Sequence, residues 1–95
     1  MASKNQQELL KFLGSEYSIK EIDGELCVYR KINACYDIEL SGTARKNYPI
    51  SVFVWDISKG EGVTAVIVEK HFDISGWDSL KGLLDDLTKK YQDLA

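Results

Sequence analysis

The chain has 95 residues, 44 % of them hydrophobic and 28 % charged, with a net charge of −3. That is one domain's worth of sequence, able to bury a core without metal or disulfide staples and too evenly mixed for a disordered, collagenous or coiled-coil protein. No apolar run reaches the roughly 20 residues that cross a bilayer, the first residues lack a signal peptide's apolar stretch, and two cysteines make no secreted disulfide framework. A cytoplasmic protein without a membrane partner is expected.

Residues 3–13 read as a helix. Ser3 is a cap with Gln6 as its capping-box partner, Leu9, Leu10, Phe12 and Leu13 form the buried stripe, and Gly14 ends it. The alternating stretches 16–22 and 25–32 flank Asp23-Gly24, the strongest short hairpin signal. A two-residue turn there pairs Ile19 with Val28 and Tyr17 with Arg30. A three-residue turn with Asn33 in the left-handed region leads to a third strand, 35–41, and sets Leu26 against Leu40, Val28 against Ile38 and Arg30 against Tyr36. One face then carries Ile19, Leu26, Val28, Ile38 and Leu40. Lys20, Cys27, Tyr29, Asp37 and Glu39 make the opposite, wetter face.

After a polar connection over 41–49, strands 50–57 and 63–70 flank a glycine-rich turn. Pairing through that turn opposes Trp55 to Ala65, Phe53 to Ile67, Val54 to Val66 and Val52 to Val68. Both faces of this hairpin are apolar, where a half-exposed hairpin alternates. Ser75 is the expected cap of a last helix over 76–93, with Trp77, Leu80, Leu84, Leu87, Tyr91 and Leu94 at helical spacing. Trp77 is expected against Phe53 or Trp55, and Gly82 at a close approach to the sheet or the first helix. The order α-β-β-β-β-β-α defines a single α+β domain, an antiparallel meander with both helices on one face.

Little in the chain points to catalysis. His71 is the only histidine, so an enzyme would rest on His71, Asp73 and a cysteine. The cysteine spacing fits no zinc pattern, and P-loop, dinucleotide and calcium fingerprints are absent. No metal or cofactor is expected, and without a basic stripe no duplex nucleic acid. Two features stand out. Tyr17, Arg30 and Tyr36, extended by Arg45, Lys46 and Tyr48, form a candidate site for a small anionic or nucleotide-like ligand, because guanidinium and ammonium groups bind anions while phenols stack. Val52, Val54, Val66 and Val68 form a candidate protein interface, left bare if the helices cover only the other side. The leading expectation is a non-enzymatic interaction protein, a homodimer through the fourth and fifth strands. Capture of the anionic ligand is the alternative.

Overall fold

A computed structural model describes residues 2–94. Its first element, α1 (Lys4–Leu13), begins as its sequence dictates: the Gln6 amide donates to Ser3 Oγ at 3.1 Å and the Ser3 amide donates to Gln6 Oε1 at 2.9 Å. Gln6 also ties the helix to the rest of the chain, since its Nε2 donates to the Leu26 carbonyl and to Thr43 Oγ1. Five strands then form one antiparallel sheet in chain order: β1 (Ser18–Ile22), β2 (Glu25–Lys31), β3 (Tyr36–Ser41), β4 (Ile50–Asp56) and β5 (Val66–Ile74). The chain closes with α2 (Trp77–Leu94).

Asp23 and Gly24 both take positive φ, 51° and 81°, the signature of the tight turn whose twist suits a hairpin. The β1–β2 register agrees, with Ile19 opposite Val28 and Ile22 opposite Glu25. The next two turns depart from the sequence expectation. Val28 opposes Leu40 and Arg30 opposes Ile38, a slip of two residues. Its cause is Asn33, which is not left-handed; its Oδ1 accepts from the Cys35 and Tyr36 amides at 2.8 and 3.0 Å, and this longer side-chain-closed turn keeps Cys35 out of the strand. A two-residue slip preserves which face each side chain takes.

Between β4 and β5 the loop holds a short 3-10 turn, Gly62–Thr64, which removes Val63 to Ala65 from the strand. Trp55 therefore opposes Ile67, and an irregularity beside Val68 then sets Val54 against Glu69 and Val52 against His71. An extra residue on one strand inverts the facing of everything beyond it.

Both helices pack on the face formed by Val28, Ile38, Leu40, Val52 and Val54. Leu9 and Leu13 of α1 and Leu80, Leu84, Leu87 and Tyr91 of α2 complete one core. Fully burying one such aliphatic side chain contributes about 1.5–3 kcal/mol. This placement corrects the expected interface: Val52 and Val54 are 0 % exposed, inside the protein rather than on its surface. The aromatic side of β4 is the one left open. Trp77 consequently lies far from its expected partners in the layering and packs on Phe12, ring centroids 5.5 Å apart. Gly76, at φ 86°, supplies the carbonyl that accepts the first helical bond of α2, from Leu80, so Ser75 stands one residue too early to cap. At Gly82 a Cβ would meet nothing within 4 Å, so no close approach requires it.

Candidate functional site

The open face is made by the alternate residues of the strands that make the core. One row across the sheet runs Ser18, Tyr29, Glu39, Phe53, Lys70, and the next runs Lys31, Asp37, Trp55, Ile67. Asp37 and Glu39 lie on the central strand and are only 5 % and 7 % exposed, although no helix covers them. Glu39 is held on both oxygens: Trp55 Nε1 donates to Oε1 at 2.9 Å, and Cys27 Sγ donates to Oε2 at 3.6 Å. Burial pushes the Glu39 carboxyl above its ordinary range, against the pull of those two donors. Burial does the same to Asp37, with the Tyr29 hydroxyl and the Lys20 ammonium opposing it. Burial and the neighbouring Glu39 together push the Cys27 thiol up to about 12, which keeps it protonated.

Tyr29, Asp37, Glu39 and Trp55 line a cavity of about 410 Å³ whose other walls come from the β1–β2 turn and the loop after β4. Lys20 enters it from β1. Its Nζ sits 4.4 Å from the centroid of the Tyr29 ring and donates to Glu61 Oε1 at 2.9 Å. Beyond the cavity, Phe53 meets Phe72 edge to face with centroids 5.8 Å apart.

The candidate anion site does not assemble. Arg30 lies 5.6 Å from the Tyr17 ring, but Tyr36 packs at a tilt on Tyr91 of α2, ring centroids 4.8 Å apart. Burial raises the Tyr17 hydroxyl pKa, with Arg30 opposing. Arg45, Lys46 and Tyr48 line a separate cavity of about 600 Å³ beside Trp77 at the start of α2. Six residues expected together thus fall into three groups: Tyr17 with Arg30, Tyr36 with Tyr91, and Arg45, Lys46 and Tyr48.

His71 does not face Asp73 in a shared arrangement. Its Nε2 lies 2.7 Å from Glu69 Oε2, and Glu69 Oε1 accepts from Lys90 Nζ at 2.8 Å and from the Tyr91 hydroxyl at 2.7 Å. Burial pushes the Glu69 carboxyl up, but these three donors outweigh it and hold it at about 2. The cluster ties β5 to α2 on the helix side of the sheet, whereas Cys27 lies on the open side. Cys27 and His71 are therefore separated by the sheet itself.

Among the described residues, no group of three or more His, Cys, Asp or Glu side chains could hold a metal ion, and no helix is long and apolar enough to cross a membrane. Comparison with known proteins finds no matching family model, no similar curated protein and no similar solved structure. The chemistry of the site is therefore its own guide to function. Sequence reasoning placed Tyr29, Asp37 and Glu39 on a wet face without treating them as a site. The signal for one was the alternation Asp37-Ile38-Glu39-Leu40 on an inner strand, which sets two carboxylates on one face of the sheet's centre.

Proposed function

We propose that this chain is a non-enzymatic binding protein acting through protein contact, and that the contact surface is the open face of its sheet. The observation that carries this reading is an apolar and aromatic set held at solvent around the cavity: Val63 at 104 % exposure, Phe72 at 56 % and Ile67 at 40 %. Exposed apolar groups gathered on one surface, with polar groups between them, are the composition of a protein contact. The free thiols Cys27 and Cys35 suit a reducing compartment, in keeping with a cytoplasmic binding protein. An anionic ligand is disfavoured at this face by its carboxylates.

A photo-crosslinking residue placed at Phe72, and for comparison at Asp86 on α2, tests the reading in the cell of origin. Protein adducts from position 72 and none from 86 support it. Adducts from 86 alone, or from neither, overturn it.

A second reading has its own support. β5 is an edge strand, and Val66 and Val68 are 60 % and 46 % exposed. Such an edge is a template for pairing with another strand, so we propose that any homodimer forms edge to edge through β5, isologously, without Val52 or Val54. Sedimentation of the purified protein tests it: a dimer converted to monomer by Val68→Lys is expected, and a wild-type monomer discards it.

A further inference from the structure

The open-face cavity is chemically one-sided. Five carboxylates line it, those of Glu21, Asp23, Asp37, Glu39 and Glu61, against the single ammonium of Lys20. Lys20 is engaged with Glu61, at the rim. Glu39 has its indole and thiol donors. Asp37, only 5 % exposed, makes no ion pair among the described residues. The Tyr29 hydroxyl meets it and Lys20 acts on it from a distance, but a carboxylate withdrawn from water with no ion-pair partner of its own is a costly arrangement in a protein that gains nothing from it.

The chain already seats one cation here: Lys20 Nζ stands over the face of Tyr29, the geometry in which a ring quadrupole attracts positive charge. Trp55, the better such ring, lines the same cavity and is not taken by Lys20. The cavity thus presents a planar aromatic surface next to a buried carboxylate. A guanidinium matches both, because it stacks on aromatic faces and donates in a fork that fits a carboxylate.

We propose that the cavity is the pocket for an arginine side chain of the partner protein, stacked on Trp55 and paired with Asp37. This inference rests on the open face being the contact surface. Lys20 then acts as an internal competitor that offsets part of the pocket's negative charge until the partner arrives.

The probe is N-acetyl-arginine amide, followed by the NMR signal of the Trp55 indole N–H, with the Trp77 indole as the control for global change. A saturable shift of Trp55 alone, in the millimolar range, is expected, with the neutral citrulline analogue producing none. Asp37→Asn should weaken the arginine amide by roughly tenfold or more. If that variant does not fold, Lys20→Met replaces it and should tighten binding severalfold by removing the competitor. An unmoved Trp55, an equal response to citrulline, or affinity indifferent to both substitutions overturns the proposal. Adducts still forming from position 72 in that event would leave the contact surface standing and remove only the arginine pocket.

Discussion

The Trp55 indole N–H donates to Glu39 across the β3–β4 pair, although the residue directly opposite Glu39 is Phe53. The bond is a diagonal one, and it turns the tryptophan along the sheet so that its ring lines the cavity beside Asp37. A half-buried tryptophan that only filled space would be expected among the helices. This one is fixed on the uncovered face by a charged acceptor, and an oriented aromatic ring at solvent is an arrangement suited to recognition.

Carboxylates kept for binding should cost stability. The folded-state pKa values of Asp37 and Glu39 are raised by burial above ordinary values of 3.8 and 4.5. The folded state therefore holds protons that the unfolded chain has released, so their contribution to stability worsens as pH climbs through that window and improves as it falls. Asp37→Asn is expected to raise stability at neutral pH, measured by urea denaturation, with the gain shrinking as pH falls.

Glu69 has the opposite sign. Its pKa is lowered from 4.5 to about 2, so its stabilisation is complete above the ordinary value and is lost as pH falls toward about 2. Lys90 is exposed and screened, so Glu69→Gln is expected to cost roughly 1 to 2 kcal/mol at pH 7. The variant should also lose less stability than the wild type on acidification, read from melting temperatures across that range.

The two valine pairs of the β4–β5 hairpin should separate cleanly. Val54→Glu places a charge in the core and should abolish folding, because an unpaired buried charge costs several kcal/mol. Val68→Glu falls on an exposed bulge position and should stay folded within about 1 kcal/mol of wild type. Circular dichroism melting distinguishes them.

Asn33 closes the β2–β3 turn with Oδ1, and its Nδ2 donates to the Tyr91 carbonyl at 3.2 Å. Asn33→Ala removes all three bonds and should cost roughly 1 to 3 kcal/mol. Asn33→Asp keeps the turn acceptor and should recover part of the loss in the same denaturation assay.

Gly82 lies exposed within α2, with open space where a Cβ would go. Gly82→Ala should therefore stabilise the protein by roughly 0.5 to 1 kcal/mol through helix propensity and a restricted unfolded chain. Thermal unfolding of the single variant checks it.

The order of elements, the Ser3–Gln6 capping box and the Asp23-Gly24 register were legible because each is set by residues a few positions apart. The β2–β3 register was not, because Asn33 had two ways to make a turn, and its side-chain bonds to Cys35 and Tyr36 selected the longer one. The covered face of β4 was hidden for a different reason. Val52, Val54, Phe53 and Trp55 are all apolar, so the hairpin alone does not say which pair is buried. Pairing with β3 decides it, by placing Val54 beside Ile38 and Val52 beside Leu40. Asp37 and Glu39 are then carried to the same side as Trp55, and that alignment creates the site. The tyrosine–arginine grouping failed through the same two-residue slip, which moved Arg30 from Tyr36 to Ile38.

The most direct test is oxidative footprinting of the two tryptophans, Trp55 on the open face and Trp77 against Phe12, in the cell of origin and in the purified protein. Protection of Trp55 and Phe72 in the cell, with Trp77 and Phe12 unchanged, is the predicted result. Protection confined to Trp77 and Phe12, or identical footprints in both settings, would contradict an open-face contact surface.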